Sequence, residues 1–439
     1  MNKESKDYIR ITGGKSLSGE IELRGAKNSV PKEMVATLLT TETCNLSNVA
    51  NIRDVDLVGE MLEVYGASVT QPTGTSFQIS TENITQQSAE VITEFAGKSR
   101  IPILFSGPLL HRFGETIIPG LGGCAIGERP INFHVDALRQ MGAEVIEKDG
   151  CTLLKAKKLH GTKLRLEYPS VGATEQVVMS AVLAEGVTEL KNSAVEPEII
   201  DLICLLQKMG AIISVDTDRT IKILGVDKLR GYDHTAIPDR LEAASWACVA
   251  LATRGEIKVK HARQQDMITF LNKYRQVGGE FDVVEDGIRF WRQKEVLSPV
   301  ALETDVHPGF QTDWQQPFVL ALTQANGVSV IHETVYEDRF GYTRAINQMG
   351  GQIQLFRECL GSVQCRFGQK NHLHSAVVVG PQKLRAADIT VPDLRAGFTY
   401  VAAALVAEGT SQINNINLIN RGYEDFETKL RKIGANIES

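Results

Sequence analysis

Leu206-Gln207-Lys208-Met209-Gly210-Ala211 closes a helix-like stretch and opens a short strand-like one, and the same pattern returns along the chain. It recurs at Met61–Ala67, Ala137–Ala143, Tyr274–Gly279, Ile346–Gly351 and Leu430–Ala435. Each copy holds a glycine, at Gly66, Gly142, Gly210, Gly278, Gly350 and Gly434. Glycine suits the left-handed position that ends a helix, and the alternating apolar residues after it suit a strand. A second glycine precedes most copies, at Gly114, Gly186, Gly255, Gly327 and Gly409, between an Ala/Leu-rich helix end and another strand; Thr41-Glu42-Thr43 takes that place in the first copy. Repetition at roughly 70 residues is too long for a solenoid and implies compact units, each with two helices among strands.

The helices before the second glycine are apolar nearly all round, as in Phe398-Thr399-Tyr400-Val401-Ala402-Ala403-Ala404-Leu405-Val406. Such helices are buried ones. The expected fold is therefore α/β with helices inside and sheets outside. Two arrangements of six units fit: a ring of the kind used by DNA clamps, or two three-unit domains facing a cleft.

At 439 residues the chain is long enough for two or three domains. Its 43% apolar and 23% charged residues are those of a globular protein. No apolar run is long enough to span a bilayer, so no membrane association is expected. Met1–Arg10 lacks the apolar core of a signal peptide. A net charge of -6 argues against nucleic acid as a partner. The seven cysteines include no CxxC pair, and Cys359 and Cys365 lack zinc-type spacing. The expectation is a reduced, cytoplasmic protein without disulfides, metal or other cofactor. Cys204 and Cys248 lie in apolar helical stretches and are expected in the core.

One loop stands out: Pro119-Gly120-Leu121-Gly122-Gly123-Cys124-Ala125-Ile126-Gly127-Glu128-Arg129-Pro130. A glycine-rich loop is a poor place for a structural cysteine and a good place for a reactive one, whose pKa nearby cations lower. The plainer reading is a turn with an incidental small residue.

This loop, together with Leu23-Arg24-Gly25-Ala26-Lys27-Asn28, Pro308-Gly309-Phe310-Gln311-Thr312-Asp313, Asp393-Leu394-Arg395-Ala396 and Asn420-Arg421-Gly422-Tyr423-Glu424, resembles the enolpyruvyl transferases. The motifs keep the family's order from about Ile11 to Glu438. The resemblance implies a two-domain, inside-out α/β barrel of six repeated units, three per domain, with sheets around internal helices. It implies one domain over 27–237 carrying the Cys loop and a second over 1–26 plus 238–439, with the active site in the cleft between them and a crossing at Ile237-Pro238.

The implied reaction joins the enolpyruvyl group of phosphoenolpyruvate to the 3-hydroxyl of UDP-N-acetylglucosamine and releases phosphate, the first committed step towards peptidoglycan precursors. Cys124 stands where the family has its general acid, which fosfomycin alkylates, and Asp313 where it has a candidate base. Thr312 and Asp313 also fit a helix-capping pattern. Phosphoenolpyruvate needs a cationic site. By resemblance Lys27, Arg129 and Arg421 serve its phosphate side, with Lys27 also catalytic, Arg339 and Arg395 serve its carboxylate, and Asn28 is a further contact to it. The nucleotide sugar is expected against Arg100, Arg129, Pro130, Ile131, Asn132, Phe133, Tyr168, Pro169, Ser170, Val171, Asp313 and Val335. His134, Asp54 and Glu196 fit packing, capping or ion-pair roles equally well.

Four departures fall on the nucleotide-sugar side. Lys32 and Glu33 stand in a first helix that is usually apolar, Tyr168 replaces a frequent Lys, Asn132 a frequent Asp, and 357–374 is long and polar. A paralogue acting on another nucleotide sugar therefore stays open beside the main reading. A non-enzymatic DNA-clamp-like ring is the distant alternative, and the oligomeric state is not legible.

Overall fold

A computed structural model describes residues 7–120, 131–148, 151–362, 365–368 and 370–438. The chain divides into two compact units: residues 24–120 and 131–237 form one, residues 7–23 and 238–438 the other. We call them the N-terminal and C-terminal units.

Within the C-terminal unit three helices, Arg240–Ala252, Thr312–Leu322 and Leu394–Val406, pack on one another. Every residue of the first is buried. Ala243, Ala244, Ala247 and Ala250 let its neighbours approach closely, while Trp246 fills the space between. The Phe398 ring sits edge-on to Trp246 at 4.9 Å and stacks on Tyr423 at 4.6 Å. Truncating a core ring of this kind costs about 3–5 kcal/mol.

Three four-stranded sheets surround these helices. In one, Glu256–Lys260 pairs parallel with Ser18–Glu22 and antiparallel with Gly287–Arg292, which pairs antiparallel with Gly279–Val284. Successive strand residues face opposite sides. Ile257 and Val259 therefore enter the core, while Lys258 and Lys260 face outward and pair with Asp286 and Glu20 at 2.9 and 3.0 Å. Amphipathic helices complete each unit; Ile268–Val277 buries only Phe270, Leu271, Tyr274 and Val277.

The N-terminal unit repeats this plan. Its inner helices are Val30–Ala36, Ser106–Phe113 and Val171–Ala181. Around them lie two four-stranded sheets and a third with three strands among the described residues. The inside-out α/β architecture is thus present in both halves.

The six motif glycines all carry positive φ, from 89° at Gly434 to 118° at Gly278. The second pattern breaks once. Arg254, not Gly255, takes the left-handed position, with φ 56°. Gly255 is needed there for space, since a Cβ would lie 2.0 Å from the Leu17 carbonyl oxygen. Cys204 is a further difference. It is exposed, because the helix Pro197–Lys208 turns Leu202, Ile203, Leu205 and Leu206 inward instead.

Candidate active site at the helix N-termini

In each unit several of the residues singled out from the sequence lie where inner helices begin. In the C-terminal unit Asp239 caps one helix by accepting from the Leu241 and Glu242 amides, and Asp393 caps another by accepting from those of Arg395 and Ala396. Asp313 occupies the first turn of the third helix, Thr312–Leu322. A carboxylate there is favoured by the helix dipole.

Asp313 is not a cap. Gln311 holds the cap position and makes no side-chain cap bond, and Thr312 donates instead to Glu333 Oε2 at 3.0 Å. The carboxylate of Asp313 is held from both sides, by Arg339 Nη2 on Oδ1 and by Arg395 Nε at 3.5 Å from Oδ2. Both arginines are buried, at 2% and 6% exposure. Burial works against their charge. For Arg395, Tyr423 and the carboxylates of Asp313 and Asp239 more than offset it; for Arg339, Asp313, Asp393 and Glu333 do. Arg395 Nη1 also donates to the Tyr423 hydroxyl at 3.1 Å, which lies 2.9 Å from Ser245 Oγ. Two guanidinium groups meet at one carboxylate, a donor arrangement that suits a second anion. Arg339 also borders a cavity of about 520 Å³ with Asp393, Arg344, Tyr342 and Tyr400.

Glu333 was not foreseen as part of this site. Its Oε1 accepts from the Val335 and Tyr336 amides at 2.8 and 3.1 Å, and its Oε2 accepts from Thr312 and from Gln315 Nε2 at 3.2 Å. It thereby ties the turn holding Val335 to the helix holding Asp313. Burial pushes its carboxyl up, while Arg339 and the two amides pull the other way. Arg421 ends the short helix Ile416–Arg421, two residues before Tyr423.

The N-terminal unit shows the same placement. Lys27 and Asn28 precede the inner helix Val30–Ala36, Arg100 precedes the segment leading into Ser106–Phe113, and Tyr168–Ser170 lead into Val171–Ala181. Lys27 Nζ lies 2.9 Å from Asp54 Oδ2. Ser170 caps its helix through the Ala173 amide. Ile131, Asn132 and Phe133 begin the helix Asn132–Gln140, with Ile131 at the cap position. His134, one residue on, packs against Gly172, where a Cβ would stand 3.1 Å from the ring. Burial pushes the His134 imidazole down to about 3, and the Arg100 charge acts in the same direction. The 131–134 and 168–172 segments and Arg100 therefore share one neighbourhood. Cys124, Arg129 and Pro130 lie outside the described residues.

The two unexpected charges of the first helix find partners. Lys32 Nζ lies 3.6 Å from Glu175 Oε1. Burial nonetheless pushes the Glu175 carboxyl up to about 7, against the pull of Lys32. Glu33 is fully buried beside His234 and Asp201, and burial with that second carboxylate holds its own carboxyl well above the usual range.

A family model described as EPSP synthase (3-phosphoshikimate 1-carboxyvinyltransferase) matches residues 11–430. The chain belongs to this enolpyruvyl transferase family. A protein of Protochlamydia amoebophila named UDP-N-acetylglucosamine 1-carboxyvinyltransferase is 47% identical, with 98% of this chain and 94% of that protein covered. Proteins of the same name from Chlamydia pneumoniae and, with the suffix 1, from Staphylococcus aureus are 46% and 38% identical, each over 98% of this chain and over 94% and 99% of their own lengths. The enolpyruvyl transferase NikO of Streptomyces tendae superposes with a TM-score of 0.84 at 22% identity, covering 98% of both chains, which shows the shared fold. The clamp-like alternative is thereby set aside.

Proposed function

We propose that this enolpyruvyl transferase moves the enolpyruvyl group of phosphoenolpyruvate to the 3-hydroxyl of UDP-N-acetylglucosamine and releases phosphate. The observation that carries this reading is the 45–47% identity, over 97–98% of the chain, to proteins named for that reaction. The helix-end cluster around Asp313 supports it, as an anion site beside a carboxylate base.

In this reading Arg339 and Arg395 receive the carboxylate of phosphoenolpyruvate, Lys27, Arg129 and Arg421 its phosphate, and Asn28 is a further contact to it. The Cys124 thiol gives its proton to the methylene carbon, and C2 becomes electron-poor. The sugar 3-oxygen bonds to C2 while Asp313 takes the hydroxyl proton. Loss of a proton from the resulting methyl group, taken back by the Cys124 thiolate, then expels phosphate, which leaves with the C–O electron pair as the double bond is restored. Asp313 is engaged by two arginines, so it acts by position more than by basicity. Arrival of the substrate carboxylate would compete for those arginines and release it. Arg100, Arg129, Pro130, Ile131–Phe133, Tyr168–Val171 and Val335 hold the nucleotide sugar.

None of the described helices is long and apolar enough to cross a membrane. The substrates place the work in the cytoplasm, at the start of peptidoglycan synthesis. Fosfomycin tests the acid directly. Loss of turnover together with an adduct on the Cys124 peptide is expected; full activity in excess fosfomycin would overturn the role of Cys124.

A further inference from the structure

The long polar segment 357–374 brings together four side chains that the reaction does not use. The strand Gly327–His332 ends beside the start of Ser375–Gly380, with His332 opposite Ser375. His374 therefore lies next to His332, ring centres 5.4 Å apart. Between the strands the chain folds back. It places Cys359 Sγ 3.4 Å from His374 Nε2 and 3.6 Å from Cys365 Sγ. One ligand atom from each of His332, Cys359, Cys365 and His374 lies within 4.8 Å of all the others.

The surroundings aim these atoms at a common centre. His374 Nδ1 is 2.9 Å from the His372 carbonyl oxygen, and His332 Nδ1 is 3.3 Å from Glu303 Oε2. Each ring thus has Nδ1 engaged by an oxygen, which leaves Nε2 as the ligand atom, and that of His374 faces Cys359. That is the arrangement by which outer partners orient metal-bound histidines. Glu303 is itself held, its Oε1 accepting from the Ser362 amide and hydroxyl at 2.8 and 2.7 Å. His332 Nε2 is buried and has no hydrogen-bond partner among the described residues. Leaving such an atom unsatisfied is destabilising. The Phe367 amide points at Cys365 Sγ from 3.4 Å, as suits a sulfur carrying negative charge. Gly361 lets the segment close over the histidine, since a Cβ there would lie 2.3 Å from His332 Nδ1.

We propose that His332, Cys359, Cys365 and His374 bind one zinc ion in a closed structural site. Zn–S bonds of about 2.3 Å and Zn–N bonds of about 2.0–2.1 Å span a tetrahedron with edges of about 3.3–3.8 Å. The observed 3.4 and 3.6 Å separations fall in that range. The sulfurs are too far apart for a disulfide, which needs about 2.05 Å. Two thiolates neutralise a divalent ion, and the mixed sulfur and imidazole set favours zinc over magnesium or calcium. Four protein ligands leave no open position for catalysis. The ion would pin the segment to the two strand ends. Arg366, next to a ligand, donates to the Val335 carbonyl, so the same brace reaches the turn held by Glu333.

Metal analysis of the full chain, purified reduced and without chelator, tests this. About one zinc per chain is expected. The Cys359→Ser/Cys365→Ser double variant should fall to background, while Cys204→Ser keeps its metal. Cobalt added to the stripped protein should give the visible bands of a tetrahedral thiolate site. Should the double variant not fold, the wild-type chain decides. Stripping should lower its Tm, and zinc but not magnesium should restore it. A wild-type chain that carries no zinc and gives no cobalt spectrum overturns the proposal, as do zinc retained by the double variant and a Tm indifferent to stripping.

Discussion

The two units share one plan and use it differently. Both place their polar side chains at the N-termini of inner helices. In the C-terminal unit two of those ends bring Asp313 and Arg395 together in a dense cluster with Arg339 and Tyr423. In the N-terminal unit they carry a looser set from several loops, with Lys27 on Asp54 and with Arg100, His134 and the capped turn at Ser170 in one neighbourhood. A preorganised cluster suits the reacting atoms, because it needs no rearrangement as charge develops. Separate groups on separate loops suit an extended ligand touched at several points. The two copies thus divide their polar groups between a mutually held cluster and spaced contacts, and the proposed reaction draws on both, with Asp313 in one and Lys27 in the other.

Substitutions can break that division. The largest effect is expected from Asp313→Asn, which keeps the shape and removes the base. Turnover should fall by about 10²–10⁴-fold, with the nucleotide-sugar KM little changed. Near-full turnover would remove Asp313 from the chemistry.

Lys27→Ala should come next. Loss of a charge-assisted contact costs about 1.5–3 kcal/mol, so kcat/KM for phosphoenolpyruvate should drop by about ten- to a hundredfold. Steady-state kinetics at saturating nucleotide sugar would show it. An unchanged value would confine Lys27 to its pairing with Asp54.

His134 sharpens the comparison through pH. The unfolded imidazole takes a proton near 6.5, the folded one only near 3. Below about pH 6.5 the unfolded chain therefore binds the extra proton, and stability is lost as pH falls towards 3. His134→Asn should lose less stability than the wild type between pH 6.5 and 5, by about 1–2 kcal/mol, in denaturant titrations at each pH. Parallel curves would contradict a buried, neutral His134.

Glu333→Gln should have the smallest effect. Glutamine can accept from one pair of donors but not serve all four contacts equally. A loss of about 1 kcal/mol in stability and a few-fold rise in the nucleotide-sugar KM are expected, with kcat held. A large fall in kcat instead would make Glu333 part of the chemistry.

The fold was legible because its markers are local. A glycine at each helix end needs positive φ, and the Ala-rich stretches bury all round, so period and composition suffice. Arg254 escaped because arginine rarely takes a left-handed backbone, and only the crowding at Gly255 explains the shift. The cluster of Asp313, Arg339 and Arg395 was assembled by resemblance, not by spacing, since its members come from three separate elements. Glu333 carried no signal of its own, being one acid among many until Thr312, Gln315 and two amides converge on it. The Cys359 and Cys365 spacing hid the sulfur–imidazole cluster, because His332 lies 27 residues before Cys359 in the sequence and comes near it only where Gly327–His332 pairs with Ser375–Gly380.

The central claim is the reaction and its acceptor. Phosphate release from phosphoenolpyruvate, measured with UDP-N-acetylglucosamine, other UDP-sugars and 3-phosphoshikimate in turn, tests it most directly. The account expects release with UDP-N-acetylglucosamine, matched one for one by the enolpyruvyl sugar. Release with another acceptor and none with UDP-N-acetylglucosamine would contradict it.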